Sequence, residues 1–595
     1  MRVEEESLGT FNAYTHLRRL MGFMRGTQRL LLLCVLGSAV GSAIQVVTPL
    51  LVRQAVDVYM LGTLPAQARV SGLVWLAWAY AALLALNLFV GYGVAIGLNY
   101  VGQNVVRAVR TAVWRHFHRL PIPYFDRNPI GRLVTRVAND TTSLSEVFTS
   151  VLATGVSDVL LFFLILGMMA TLDVRLTLVL ATLFPFLIAL TWWFKTNSQR
   201  IHRQVRVLVA RVNAFFQENV QGIGVVKSFT AEPRMRSRFH DLAAECYRTD
   251  LELIHVFAIF RPLISGGSTL SIALMLWVGG RQVLDGALSL GTLVAFLFYV
   301  RMLYAPIDEL AEKFNLFQEA MVGSERIFRI LDTPAEPVPE AIAEAPRAKG
   351  HIVFENVSFA YDPEKPVLNG ISFEARPGET VALVGPTGSG KTTVTALLLG
   401  FYSLGENGGG RILLDGVPLQ DWDPRVLRRQ FGLVQQDLFL FSADLRQNVT
   451  LFSDVSDALV SDALEASQAA RVVEKYEQGL AHRLNERGAS LSQGERQLLS
   501  FARALAVDPP LLILDEATAS VDSRTEQLIQ EALRRVLAGR TAVVVAHRLS
   551  TVQEADRILV LKKGQLVEQG SHSELLAANG LYAHLFRTQQ LDPRP

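Results

Sequence analysis

Long uncharged apolar runs alternate with arginine-rich stretches through the first half of the chain, and short alternating runs broken by glycine and proline fill the second. Leu30–Val52 and Gly72–Leu98 carry no charge, and each is long enough to cross the ~30 Å of hydrocarbon in a bilayer. Further spans are predicted at Val147–Leu172, Leu176–Phe194, Pro262–Gly280 and Leu288–Val300, the last running toward Ile307. Between the second and third spans lie Arg107, Arg110, Arg115, Arg119, Arg127, Arg132 and Arg136. Between the fourth and fifth lie Arg200, Arg203, Arg206, Arg211, Lys227, Arg234, Arg236 and Arg238. The alternate loops, Leu172–Arg175 and Gly279–Leu288, are short and carry few charges. The positive-inside bias therefore predicts that both basic segments and both termini are cytoplasmic. Each basic segment is broken near its middle, at Leu120–Gly131 and at Ser228–Met235. It therefore reads as two long helices with a short element at the far tip, placed to touch a cytoplasmic domain.

The stretch rich in Pro, Ala and Glu between Ile330 and Lys349 reads as a linker. Beyond it, HIVFENVSFAY and NGISFEA alternate with period 2 and predict antiparallel strands. The expected division is a membrane domain over 1–330, a linker over 331–349 and a nucleotide-binding domain over 350–595. The fold class is thus a membrane α-helical domain of six transmembrane helices fused to an α/β phosphate-loop ATPase domain.

Candidate chemistry sharpens this reading. The run from Gly385 through Pro386, Thr387, Gly388, Ser389, Gly390, Lys391 and Thr392 to Thr393 has two glycines at the phosphate-loop spacing, followed by Lys and Thr. An apolar strand pattern precedes it and a helical one follows. Glycines let backbone N–H groups fold around a β-phosphate, Lys391 reaches β/γ oxygens, and the Thr392 hydroxyl serves Mg²⁺. In LLILDEATASVDS, the buried strand pattern ends on Asp515, placed to hold Mg²⁺ through a water. Glu516 follows, placed to orient and deprotonate an attacking water. Tyr361, upstream of the loop, is an aromatic in position to stack on adenine.

Composition removes several alternatives. The net charge of +2 over 595 residues gives no global field for nucleic acid. The basic segments are mixed in charge and lie between spans, as solvated helix extensions do. Two cysteines, Cys34 and Cys246, form neither a disulfide framework nor a zinc site. The acidic start MRVEEESLG lacks the charged-then-apolar pattern of a cleaved leader, so none is expected.

Together these features resemble an ATP-binding-cassette exporter half-transporter over nearly the whole chain. The stretch LSQGERQ, from Leu491, is similar to the family's signature. The resemblance implies ATP and Mg²⁺ as cofactors, with Ser492, Gln493, Gly494 and Glu495 closing on the γ-phosphate of a nucleotide held by a second cassette. It implies that Gln436, in LVQQDLFLF, touches Mg²⁺, that Asp522 communicates across the dimer, and that His547 is a switch on the γ-phosphate. Glu486 and Arg487 would face the membrane domain. Since this chain has one cassette, its expected partner is a second half-transporter, alongside membrane lipid, a small hydrophobic substrate and no nucleic acid. The expected location is the cell (inner) membrane.

The sequence departs from the family's usual LSGGQ at Gln493 and Glu495. Gln493 adds bulk where backbone approaches phosphate, and Glu495 adds negative charge nearby. With Glu516 intact, this pattern favours a heterodimer over a homodimer. The expected activity is ATP-driven export of hydrophobic or amphipathic, drug-like or lipid-like compounds. An ATP-gated channel or regulator is the alternative, with lipid flipping or peptide export as other substrate classes. Gln45, Asn87 and Asp158 are polar residues within the spans and candidates to line a cavity; Asp158 would favour cations.

Overall fold

The structure is a computed structural model and describes residues 13–146, 149, 151, 153–337, 347–405, 408–515, 523–546 and 552–591. The chain divides into two compact units. The first comprises Met1–Arg119 and Asn128–Pro334, and the second Leu120–Arg127 and Ala335–Pro595.

The first unit is helical: α1 (Ala13–Gly22), α2 (Gln28–Gln54), α3 (Ala66–Phe117) and, within the second unit, α4 (Ile122–Arg127). The first unit continues with α5 (Ala153–Leu172), α6 (Val174–Ala181), α7 (Phe184–Gln221), α8 (Ile223–Ser228), α9 (Glu232–Leu284) and α10 (Leu290–Asp332). Among the described residues, four helical stretches, Gln28–Met60, Ala66–Phe117, Val174–Gln221 and Glu232–Leu284, are long and apolar enough to cross a membrane. Two shorter apolar helices, Ser157–Leu172 and Leu290–Tyr304, fall where the third and sixth spans are expected. The long helices α3, α7 and α9 carry exposed Trp78, Phe89, Trp192 and Trp277, the inverse of a soluble surface. Two buried polar contacts link these helices. Tyr299 on α10 donates to the Val46 carbonyl on α2 at 2.6 Å, and Ser271 and Tyr304 share a 2.7 Å hydrogen bond.

Two helix boundaries differ from the sequence expectation. The span predicted at Leu176–Phe194 is broken after Ala181, and α7 restarts at Phe184 with Pro185 in its first turn. Proline has no N–H to donate and its ring crowds the carbonyl four residues back, which favours a break here, although α2 and α9 run through Pro49 and Pro262. The break expected within Ser228–Met235 falls at residues 229–231, where Thr230 takes a φ of 50°, and an additional break at Gly222 sets off the short helix α8 before it.

Among the described residues, the second unit holds two sheets. One is antiparallel in the order β2-β1-β4-β5: β1 (Ile352–Asp362), β2 (Lys365–Ala375), β4 (Gly408–Leu414) and β5 (Val417–Pro418). The other is a six-stranded sheet of β3 (Thr380–Val384), β6 (Phe431–Val434), β7 (Leu511–Asp515), β8 (Thr541–Val545), β9 (Arg557–Lys562) and β10 (Gln565–Gly570). Its order is β10-β9-β3-β8-β7-β6, parallel except for the β9–β10 pair. Successive residues of these strands feed opposite cores. Leu511, Ile513, Val543 and Val545 pack toward the antiparallel sheet, and Leu512, Leu514, Ala542 and Val544 toward the helices. With both faces covered, the strand ends become the accessible edge.

Candidate functional site

Strand order assembles this edge. β3 and β7 flank β8, so the loop leaving β3 and the carboxylate ending β7 emerge on the same side of the sheet. The loop Gly385–Gly390 joins β3 to α11 (Lys391–Leu398). Gly385 has a φ of 154°, and a Cβ there would stand 2.1 Å from the Leu561 carbonyl oxygen. At Gly390, with φ 104°, a Cβ would meet Leu368 Cδ2 at 2.5 Å. Only glycine fits either place, and the loop consequently presents bare backbone.

Lys391 is 6% exposed and donates from Nζ to the carbonyls of Gly385 at 2.8 Å and Pro386 at 3.2 Å. Burial lowers the pKa of its ammonium, against the opposing pull of the Asp515 carboxylate. The Ser389 hydroxyl is buried with no hydrogen-bond partner. A bare backbone cradle, a buried ammonium and an unpartnered hydroxyl fit the anionic oxygens of a triphosphate. Thr392 is exposed beside them, whereas Thr393 is buried and accepts a 3.2 Å hydrogen bond from the Tyr361 hydroxyl. Tyr361 keeps 39% of its surface exposed and meets Phe359 and Tyr402 edge-on, at centroid distances of 5.0 and 4.8 Å.

Gln436 and Asp515 line one pocket together with Gln435 and Gln497. Among the described residues, no three of His, Cys, Asp and Glu gather as a metal cage. Mg²⁺ at nucleotide sites takes one or two carboxylates with phosphate oxygens and water, and Thr392, Gln436 and Asp515 supply a donor set of that kind. Glu516, Asp522 and His547 lie outside the described residues.

The Ser492–Glu495 stretch opens α12 (Gln493–Leu505). Among the described residues, no hydrogen bond joins it to Gly385–Thr393. Ser492 and Gln493 are exposed and Gly494 is buried. Glu495 is not aimed outward. Its Oε2 accepts from the Ser492 N–H at 2.8 Å, its own N–H donates to Ser492 Oγ at 3.2 Å, and its Oε1 pairs with Lys475. Burial raises the carboxyl's pKa, but Lys475 and Ser492 outweigh it and hold the group below the usual range. The extra charge expected from sequence is thus compensated within the chain. Sequence reasoning also passed over Arg503. It is half-buried on α12 and donates to the carbonyls of Phe439 and Asn448 at 2.8 and 2.9 Å, tying α12 to the segment after Gln436. Nothing local in the sequence marks Lys475 or Arg503, because both act on partners distant along the chain. Glu486 and Arg487 form a single helical turn in which Arg487 has a φ of 55°.

In the first unit, Gln45, Asn87 and Asp158 line one cleft of about 1010 Å³, its open side included, with Gly41 and Met302. Asp158 is paired with Lys313 of α10, and both side chains are largely buried. Arg261 and Arg301 are exposed and do not line the cleft.

Comparison with known proteins adds the family. Residues 31–307 match the ABC transporter transmembrane region and residues 368–519 the ABC transporter family. The chain is 36% identical, over 96% of its length and 94% of the relative's, to the uncharacterized ABC transporter ATP-binding protein YknV of Bacillus subtilis. It is 38% identical, over 86% of its length and 80% of the relative's, to a Mycobacterium bovis fatty acid ABC transporter ATP-binding/permease protein. The fold matches the structure of a bacterial Atm1-family ABC exporter with ATP bound, at a TM-score of 0.77 and 28% identity over 95% of this chain and 99% of that one.

Proposed function

Because this chain belongs to the ATP-binding-cassette exporters, as a membrane unit fused to an ATP-hydrolysing cassette, we propose that it exports hydrophobic or amphipathic compounds of drug-like or lipid-like size. The observation that carries this reading is the cleft in the helical unit. It is large enough for one such molecule, with apolar walls and the polar groups Gln45, Asn87 and Asp158. The relative named for fatty acids supports an amphiphile.

ATP supplies the free energy through its γ-phosphate bond. In this reading Lys391, Ser389 and the loop N–H groups hold the phosphates, Tyr361 stacks on the base, and Asp515, Thr392 and Gln436 hold Mg²⁺. Glu516 takes the proton of the attacking water, with His547 beside the γ-phosphate. Ser492 and the N-terminal N–H groups of α12 close on a nucleotide held by a second half-transporter, and Asp522 lies at that junction. The bulk that Gln493 adds where backbone approaches phosphate favours a partner of different sequence, whereas the Glu495 charge, already met by Lys475, does not bear on it. The arginine-rich segments support a cell-membrane location with both termini and the cassette on the cytoplasmic side.

The test is to purify the complex from its native membrane, reconstitute it in sealed vesicles and measure ATP-dependent movement of a fluorescent amphiphile. Movement that requires hydrolysis supports export. ATP-dependent ion conductance without amphiphile movement would favour the gated channel instead.

A further inference from the structure

We propose that Asp57 latches the exit from the cleft, holding α2 against α10 at their non-cytoplasmic ends until a transported compound leaves. This rests on the export reading and assigns the residue that closes its far side. The cleft is lined by Gly41 and Gln45 on α2 and by Met302 on α10. Just beyond it, on the side that the arginine distribution makes non-cytoplasmic in this reading, the same two helices meet where Tyr299 donates to the Val46 carbonyl. About 16 Å further along α2, at roughly 1.5 Å per residue, they meet again at Asp57.

One carboxylate gathers that outer contact. Asp57 Oδ1 accepts from the Gly291 N–H at 2.7 Å and Oδ2 from the Ser289 hydroxyl at 2.6 Å, with Arg53 Nε 3.6 Å away. The Thr292 hydroxyl lies 2.7 Å from Ser289 Oγ. Since Ser289 gives its proton to Asp57, Thr292 donates, and the two bonds strengthen each other. Backbone approaches just as closely: a Cβ on Gly291 would stand 2.5 Å from the Arg53 carbonyl oxygen and 2.7 Å from Asp57 Cγ. Asp57 lies in a π-helical turn, Ala55–Met60, that continues α2, a rare form that recurs at functional places in helices.

Capping alone does not require Asp57. Ser289 already accepts from the Thr292 N–H at 3.2 Å and so starts α10 by itself. What the carboxylate adds is a charge-assisted tie between segments 232 residues apart. Its position makes the tie reversible. The Asp57 side chain is 21% exposed and Ser289 is exposed, so water can take over both as the helix ends part. Tyr299, by contrast, is fully buried. Opening therefore begins at Asp57 and reaches Tyr299 second.

The experiment uses the assembled complex in sealed vesicles with the non-cytoplasmic face outward. Gln45→Cys places a thiol in the cleft, and a membrane-impermeant maleimide is added outside without ATP, with the complex lacking that cysteine as background. Labelling is expected to be slow behind the closed latch. Asp57→Ala removes every bond of the carboxylate and should raise the labelling rate about tenfold. Asp57→Asn keeps one acceptor and should raise it about threefold. If Asp57→Ala fails to assemble, Ser289→Ala removes one of the bonds and should also raise the rate about threefold. ATP-dependent movement of a fluorescent amphiphile is measured in parallel, without the added cysteine. Asp57→Ala should move less of it per ATP hydrolysed, because an exit that no longer closes lets compound return. Equal labelling in the parent and all three variants, with amphiphile still moved by the parent, overturns the latch and leaves export standing. So does fast labelling of the parent without ATP. Hydrolysis with no amphiphile moved by the parent overturns the export reading and the latch with it.

Discussion

The Tyr402 hydroxyl donates a hydrogen bond to the carboxylate of Asp126, a residue that the sequence places between two membrane spans and the fold packs within the cassette unit. The same tyrosine meets Tyr361 edge-on. Burial first, then the Asp126 carboxylate, holds the Tyr402 hydroxyl protonated well above its ordinary range. If Tyr361 stacks on the base as proposed, nucleotide placement and the position of α4 share one side chain, Tyr402. Tyr402→Phe keeps the ring and removes the hydroxyl. ATP affinity should change little, while amphiphile moved per ATP hydrolysed should fall roughly three- to tenfold. Parallel transport and ATPase assays check this, and an unchanged ratio would show that the hydrogen bond carries no coupling.

Glu516→Gln should stop turnover while ATP remains bound. The change preserves shape and removes the proton acceptor next to Asp515 at the end of β7. The loss should be about 10²- to 10⁴-fold in ATPase rate. Nucleotide retention measured beside steady-state hydrolysis tests it, and a rate near that of the parent would assign the base elsewhere.

Asymmetry between the two nucleotide sites makes a sharper prediction. In a heterodimer, Ser492→Ala damages a site already slow, whereas Lys391→Ala removes the phosphate contact of the competent one. ATPase should therefore survive the first change and collapse with the second. Equal and total loss from both, in a complex containing only this chain, would establish a homodimer.

Lys475 shields the charge at the signature. Glu495→Gln should leave turnover within about threefold, because the carboxylate already faces Lys475 and Ser492 and can still be replaced as a cap. Lys475→Met should weaken ATP binding where the signature serves it, by exposing that charge. Lys475 is mostly exposed, so the pair itself contributes at most about 1 kcal/mol. The Glu495 carboxyl is held below its unfolded value of roughly 4.3. Its contribution is therefore present at neutral pH and lost as pH falls through the lower folded value. Thermal melts from pH 3 to 7 should show that acid-side loss in the parent and a shallower one in Glu495→Gln.

The sequence by itself determined the two-part fold and the position of the phosphate loop. Both are written in near neighbours: unbroken apolar runs demand a membrane, period-2 alternation demands strands, and glycines at fixed spacing demand a bare loop. Tertiary structure alone decided the partners. The pairing of Tyr402 with Asp126 crosses 276 residues, and that of Lys313 with Asp158 crosses 155. The strand order that puts β8 between β3 and β7 has no local signature either. From sequence, Glu495 read as a bare negative charge and Asp158 as an attractor of cations. Packing gave each a lysine, because a charge withdrawn from water is stable only beside its opposite, and which opposite arrives depends on how distant segments pack.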